Sequence, residues 1–496
     1  GTPLATTRAR TERVAIIGLD CAAPELLFSE WIDELPNIRG LIARGVHGEL
    51  ASIVPPITVP AWMSMMTSQD PGSLGIYGFR NRRDHSYGGL FFASGSSVKQ
   101  PTLWDVLGKN RRDSIVMGVP PTYPPKAIRG SLVSCFLTPD TNRPFTYPTS
   151  LGAEIHGVAD GYMLDVAGFR RLDRSRLLAQ LHAMMDKRFR AARHLVETKP
   201  WDLFAMVEIG VDRLHHAFWR YWDPTHRLHE PDSPFASAMH DYYVALDAHI
   251  GSLVESLGED TTVFIVSDHG AKRMDGGICI NEWLIANGYL TLKSAPEEAT
   301  RLRPDMVDWA NTRAWGDGGY YGRVFINVAG REPEGCVQPE AADALLDELI
   351  AGLEALGDER GRPIGTRVHR PSELYARVEG IAPDLIALFG GLHWRSLGSV
   401  GGGSVHAFEN DTGPDDANHA ENGVLIAAGP GIGTQSDPVV GMSLLDVAPT
   451  VLELYGFDPL PEHQGSSLVN RFDTGEAFTA LDEETIAERL EELGYL

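Results

Sequence analysis

At 496 residues the chain is long enough to bury more than one core, and 43% hydrophobic with 22% charged residues is a globular composition. A formal net charge of −24 argues against binding nucleic-acid polymers, which are gripped through basic patches. No run of about 18 apolar residues occurs, so no membrane span is expected.

The N-terminal GTPLATTRARTER has neither a starting Met nor the apolar centre of a secretory signal. Four scattered cysteines (Cys21, Cys135, Cys279, Cys336) form no CxxC pair and no disulfide framework. Both features lead to the expectation of a reducing, cytoplasmic location. The acidic balance still leaves room for a small phosphorylated substrate, because bound metal ions reverse the field locally.

In chain order, the apolar runs RVAIIGL, SIVMGV, SLVSCF, WDLFAMVEIG, TTVFIVS, DLIALF and GVLIAAGP read as buried parallel strands. Helical patterns lie between them, notably from Ser175 to Glu197 and from Met239 to Leu257. This alternation predicts an α/β fold: a mostly parallel central sheet with helices on both faces. The rhythm changes from about 281 to 370, where Pro339 to Leu356 reads as one amphipathic helix. We expect a discontinuous core (13–280 and 380–470), an inserted smaller α+β cap (281–379) that returns to the main sheet at DLIALF, and a helical tail (471–496). The glycine-rich run from Gly398 to Ser404 and the polar stretch to Glu421 read as a long loop, a feature that in compact domains is usually functional or disordered.

Three strand patterns end in an acid: VAIIGL runs into Asp20, LFAMVEIGV into Asp212 and VFIVS into Asp268. Ligands of open α/β sheets bind beyond the carboxyl ends of the strands, where these groups would sit. Taken singly, each could equally be a turn former or helix cap. The histidines shift the balance. Asp212 and His216 are four residues apart, His269 follows Asp268 directly in SDHG, and His419 precedes another core strand in NHAENGVLIAAGP. Three carboxylates and three imidazoles supply oxygen and nitrogen donors suited to Zn²⁺ or Mn²⁺. His215 is expected to be a bland neighbour, since the spacing favours His216. Three aspartates in one crevice would repel one another unless cations neutralised them. Two divalent ions more than balance three carboxylates, and an ionised hydroxyl nucleophile brings the sum to zero.

PPITVPAWMSMMTS reads as a turn entering a helix, with Thr58 near the cap and Pro60 close to the first helical position. Thr58 there is either a simple cap or a hydroxyl activated by the helix dipole and a metal. Trp62, Trp219, Tyr221 and Trp222 are either a stacking wall or core.

The strings IGLDCAAPELL, LPNIRGLIARG and PPITVPAWMSMMTSQDPGSLGIYGF, followed by DRLHHAFW, SDHG, INEWLIANGYL, FINVAGREPEG, NHAENGVLIAAGPGI and SLLDVAPTVLELYG, together resemble the type I phosphodiesterase/nucleotide pyrophosphatase branch of the alkaline phosphatase superfamily. The match runs from about Arg13 to Leu468, and its specificity lies in the ordered set. The resemblance implies an alkaline phosphatase-like fold and two divalent metal ions, Zn first and Mn second. Asp212, His216 and His419 would hold one ion; Asp20, Asp268 and His269 would hold the other together with the oxygen of the nucleophile Thr58. It implies a metal-dependent hydrolase of a phosphodiester or pyrophosphate bond in a small phosphorylated substrate, acting through a phosphothreonine.

Phosphomonoester, phosphonate or sulfate ester hydrolysis is the alternative within the superfamily, and a phospho-ligand-binding relative is the non-enzymatic one. TVPAW in place of CxPxR disfavours a sulfatase, and Thr in place of Ser disfavours a mutase. Family members carry an Asn phosphate donor shortly after HGI; here LGIYGFRNR places Leu74 and Phe79 at the His and Asn positions. Arg80 or Asn81 could replace that donor, and Arg213 and Arg323 are further candidates for substrate contact.

Overall fold

The structure, a computed structural model, describes residues 9–409, 413, 415–473 and 480–494. The first eight residues, parts of the polar loop (410–412 and 414) and parts of the tail (474–479, 495 and 496) lie outside the described residues. The runs of branched and apolar residues become strands because, buried on both faces, they lose no alternation of polarity. The largest sheet among the described residues has nine strands: β1 (Arg13–Leu19), β2 (Gly45–Ala51), β3 (Ser114–Met117), β4 (Gly130–Val133), β5 (Thr146–Tyr147), β6 (Leu203–Glu208), β7 (Thr261–Val266), β8 (Asn422–Ala428) and β9 (Met442–Ser443). Their order is β9-β2-β8-β7-β1-β6-β3-β4-β5. Strands β7, β1, β6, β3 and β4 run parallel, whereas β8 is antiparallel to both β7 and β2.

Each face of this sheet has its own core. Ala15, Ile17 and Leu19 of β1 point into one, filled by helices α2 (Arg174–Thr198), α3 (Gly210–Trp222) and α4 (Ala238–Leu257). Val14 and Ile16 point into the other, with Trp62 and Met66 of helix α1 (Thr58–Thr67) and the helix Val447–Leu454. Leu177, Leu181, Met184, Met185 and Phe189 of α2 recur at helical spacing and are all buried. Each contributes roughly 1.5–3 kcal/mol of apolar burial. Gly18 is obligatory here, because a Cβ would lie 2.5 Å from the Trp62 ring and 2.7 Å from the Met206 carbonyl. Its absence lets α1 settle directly on β1.

The inserted region has a third core built on an antiparallel sheet, in the order Ala314–Asp317, Gly322–Ile326, Leu385–Leu388, Arg367–His369. Helix α5 (Ala342–Glu354) covers it, preceded by a 3₁₀ turn from Pro339 to Ala341. The expected return to the main sheet at DLIALF is corrected here: that strand sits centrally in the small sheet, flanked by antiparallel partners. The chain rejoins the main sheet at β8, after a two-stranded ribbon formed by Gly270–Arg273 and Ala417–Ala420. The strands β2, β5 and β9 carry Gly, His or Thr or are only two residues long, too weak a pattern to announce them. Among the described residues no helix is long and apolar enough to cross a membrane, and Cys21, Cys135 and Cys336 are free thiols.

Register delivers the chemistry to one edge. Gly18 pairs with both Val207 and Val266, so β1, β6 and β7 end side by side. Strand β8 runs the opposite way, so its beginning meets the end of β7, with Leu425 opposite Val266. Ser267 ties these ends together: its hydroxyl donates to the Ala22 carbonyl at 2.8 Å and accepts from the Val424 N–H at 2.8 Å. Replacing Ser267 by Ala leaves that N–H without a partner at a fully buried position. We expect a loss of about 1–3 kcal/mol, read as a lowered denaturant midpoint with unchanged secondary structure.

Candidate metal centre and nucleophile

Asp20 is the first residue past β1, Asp268 lies two residues past β7, and Asp212 occupies the first turn of α3. The strand before Asp212 stops at Glu208, so Asp212 is a helix residue rather than a strand end. His216 follows one turn later on the same face, its Nε2 3.2 Å from Asp212 Oδ1. His419 arrives on the ribbon strand opposite Ala271, and its ring stacks on His269 at 3.7 Å. The helix α1 begins at Thr58 with Ile57 at the cap, so Thr58 is the first helical residue and Pro60 the third. Thr58 makes no side-chain cap; Oγ1 instead lies 3.5 Å from Asp20 Oδ1 and 3.4 Å from His269 Nε2.

The donors form two adjacent trios, each compact enough for one ion: Asp212, His216 and His419, and Asp20, Asp268 and His269. All six are buried. Their hydrogen bonds show what they await. His269 Nδ1 meets the Gly270 carbonyl at 2.9 Å, His419 Nδ1 the Pro56 carbonyl at 2.7 Å, and His216 Nδ1 both Asp415 Oδ1 and the Ala417 carbonyl at 2.8 Å. A carbonyl only accepts, so each Nδ1 carries a proton, which leaves each Nε2 as the nitrogen that would offer its lone pair to a cation in the crevice. The Nε2 atoms of His216 and His419 then face each other at 3.3 Å, and Asp268 Oδ2 is buried without a hydrogen-bond partner. Lone pairs and carboxylates converging in this way fit a divalent cation in each trio.

Without cations the carboxylates strain against each other. Burial pushes Asp20 and Asp268 well above the usual carboxylate range, and the field of Asp212 adds to both. Burial acts on Asp212 in the same direction, but His216, His419 and Arg213 outweigh it and hold its carboxyl well below that range. His419 is pushed down to about 4 by burial and by His269. His215 is pushed down to about 3, chiefly by burial, and its Nε2 is 2.7 Å from the Tyr243 hydroxyl. It points into the core, outside both trios.

Several residues without a sequence signal complete the centre. Asp415 accepts from Arg170 Nη2 and from the Tyr320 hydroxyl, both at 2.9 Å, while holding His216. Tyr320 stacks on His216 at 4.8 Å. Trp62 donates from Nε1 to Asp20 Oδ2 at 2.8 Å. Cys21 adopts φ of +72°, which turns its N–H onto Asp268 Oδ1 at 3.1 Å. Trp222 packs edge to face with Trp31 and Trp219, and Tyr221 tilts against Phe218 and Phe235, forming core rather than a cleft wall.

The four candidate substrate contacts divide. Arg213 forks onto Asp165 at 3.1 and 2.7 Å and donates to Asp212 at 2.7 Å, which makes it a brace for that ligand. Asn81 folds its amide back onto the Tyr77 N–H and the Gly78 carbonyl. Arg323 is spent on Asp317 and the Arg80 and Gly318 carbonyls. Arg80 lines a cavity. Phe79 packs edge-on against Phe136, and the Arg213 guanidinium lies over Phe136 at 5.1 Å.

Asp415→Asn keeps the shape at His216 while removing the charge behind it. We expect metal affinity to fall by roughly 10–100-fold, measured by competitive titration against a chelating dye, with the circular dichroism unchanged.

Residues 14–415 match the family model for type I phosphodiesterase/nucleotide pyrophosphatase. No curated protein sequence gives a significant match. Among solved structures, murine ectonucleotide pyrophosphatase/phosphodiesterase 5 superposes with a TM-score of 0.54 at 14% identity, covering 92% of this chain and 97% of that one. Its human counterpart gives 0.53 at 15%, covering 92% and 99%. Phosphonoacetate hydrolase from Sinorhizobium meliloti 1021, in complex with phosphonoformate, gives 0.55 at 15%, covering 90% and 95%. At such identities these neighbours establish the fold, which is alkaline phosphatase-like. The family match covers most of the chain, and the protein therefore belongs to the type I phosphodiesterase/nucleotide pyrophosphatase family of the alkaline phosphatase superfamily, hydrolases of phosphoester bonds.

Proposed function

We propose that the chain hydrolyses a phosphodiester or phosphoanhydride bond of a small substrate through a covalent phosphothreonine at Thr58. The observation that carries this reading is the position of the Thr58 hydroxyl, 3.5 Å from Asp20 and 3.4 Å from His269 Nε2. A hydroxyl aimed into a ligand set, with no capping role, supports the reading of Thr58 as the nucleophile.

Two divalent ions, Zn²⁺ before Mn²⁺, would be held by Asp212, His216 and His419 and by Asp20, Asp268 and His269 with the Thr58 oxygen. When bound, they supply the positive charge that favours the ionised Thr58 hydroxyl and offsets charge on the phosphoryl and leaving oxygens. Thr58 Oγ1 forms a bond to phosphorus as the bond to the leaving oxygen breaks. Water then attacks phosphorus from the face the leaving group vacated, the Thr58–phosphorus bond breaks, and two inversions give net retention. Trp62 fixes the orientation of Asp20, Asp415 that of His216 and Arg213 that of Asp212, so the donors need not reorganise on binding.

Phe79 and Phe136 support a diester over a monoester. A monoester presents an additional charged oxygen needing a donor, and an apolar pair adjoins Arg213 instead. The murine neighbour binds AMP and the phosphonoacetate hydrolase binds phosphonoformate, which supports a small phosphorylated substrate. Cytoplasmic residence belongs to the same reading, supported by the free thiols of Cys21, Cys135 and Cys336.

With bis(p-nitrophenyl) phosphate, p-nitrophenyl phosphate and p-nitrophenyl sulfate as a panel, we expect the diester to be turned over fastest. Thr58→Ala should lower kcat by roughly a thousandfold or more while retaining bound metal. Faster monoester turnover would overturn the substrate class, and an undiminished Thr58→Ala would overturn the nucleophile. Exhaustive chelation should abolish turnover and lower the thermal midpoint, and Zn²⁺ or Mn²⁺ should restore both. A metal-free, inert wild type would leave only the binding-protein reading.

A further inference from the structure

A cleft of about 930 Å³ opens between the inserted sheet and the hairpin Arg80–Arg82/Leu90–Phe92, large enough for a nucleotide-sized molecule. Its lining inverts the charge of the protein. Acidic residues outnumber basic ones 67 to 43 in the chain, yet the cleft presents Arg80, Arg82, Arg301, Arg303 and Arg395 against Asp317 alone. Three of these charges are already answered: Arg82 pairs with Glu332 at 3.4 Å, Arg303 with Asp305 at 3.2 Å, and Asp317 is taken by Arg323 at 3.0 Å.

Of the remaining guanidinium groups, those of Arg80 and Arg395 are partly buried and that of Arg301 is exposed. Among the described residues Arg80 and Arg301 have no carboxylate within ion-pair distance. Burial lowers the Arg80 pKa first; Asp317 opposes that shift, and Arg323 and Arg301 add to it. Arg395 has Nε and Nη1 buried without a hydrogen-bond partner, its nearest carboxylate being Asp415 at 3.5 Å. That carboxylate is already shared with Arg170, Tyr320 and His216. One wall is apolar and rigid: Tyr87 stacks on Trp309 at 3.6 Å, and Trp309 meets Trp315 edge-on at 4.9 Å.

One lining residue ties the cleft to the metal centre: the Arg395 guanidinium lies over the Tyr320 ring at 5.2 Å, and that ring also meets His216 at 4.8 Å and His419 at 4.7 Å. We propose that this cleft is the leaving-group subsite, and that it selects a leaving group with a flat apolar body and its own anionic group, a phosphate or a carboxylate, held by Arg80, Arg301 and Arg395. Paired guanidinium groups in a partly dry cleft recognise such anions strongly and geometrically. The proposal rests on the phosphohydrolase reading for what happens to the bound molecule, but binding itself does not.

The test therefore separates the two. Isothermal titration of the full chain, with and without metal, uses phenylphosphonate and benzoate as probes. In the chelated protein the three uncompensated aspartates repel anions, so saturable binding reports the cleft. We expect binding that weakens about tenfold or more in the double variant Arg80→Gln/Arg301→Gln and is largely kept in Arg80→Lys/Arg301→Lys. The tighter probe identifies phosphate or carboxylate as the natural anion. In the metal-loaded enzyme the KM for bis(4-carboxyphenyl) phosphate should rise more in the Gln variant than that for bis(p-nitrophenyl) phosphate. Absent binding, or equal binding in wild type and the Gln variant, overturns the subsite. Arginine-dependent binding with no turnover by the metal-loaded wild type upholds the subsite and overturns the phosphohydrolase reading.

Discussion

Asp20, Asp212 and Asp268 are buried in one small volume, where burial and the fields of Asp268 and Asp212 disfavour the ionised form of Asp20, and burial and Asp212 that of Asp268. That repulsion is the constraint on which the rest depends. Burying isolated carboxylates costs several kcal/mol each unless cations or hydrogen bonds answer them. Three of their oxygens accept from donors behind the crevice: Asp20 Oδ2 from Trp62, Asp212 Oδ2 from Arg213 and Asp268 Oδ1 from the Cys21 N–H. Asp268 Oδ2 is left open, and it faces the open lone pairs of the histidines.

A crevice of this kind persists in a fold only if the scaffold is rigid. The sheet meets that need through register, with three parallel strands ending together and one antiparallel strand arriving to meet them. A second layer of partners then removes the remaining freedom. Backbone carbonyls set two of the three histidine tautomers, and Asp415 with the Ala417 carbonyl sets the third. The Arg395–Tyr320–His216 contacts join this layer to the basic cleft, so the groups that hold a ligand and those that hold a leaving group share residues.

The trios were legible in the sequence because their signals are local. Apolar runs ended near Asp20 and Asp268, Asp212 and His216 sat one helical turn apart, and His269 adjoined Asp268. What escaped was set by distance in the chain. Asp415 reaches His216 across 199 residues, and nothing in the polar stretch before His419 distinguishes it from a surface acid. Trp62 read as stacking wall or core, and its bond to Asp20 stayed hidden because that bond depends on Gly18 clearing the way for α1. Arginines gave the weakest reading, since a guanidinium looks alike in sequence whether it braces Asp212, as Arg213 does, or lines a cleft, as Arg80 does. The strand at 385–388 was placed in the wrong sheet for a related reason: a buried apolar run does not say which sheet it completes.

The central claim is that six side chains and one hydroxyl enclose two divalent ions. Anomalous scattering from crystals of the Zn²⁺-loaded protein, recorded at the zinc edge, tests it most directly. The account predicts two peaks, one enclosed by Asp212, His216 and His419 and one by Asp20, Asp268, His269 and the Thr58 oxygen. A single peak, or peaks bound away from these residues, would contradict it.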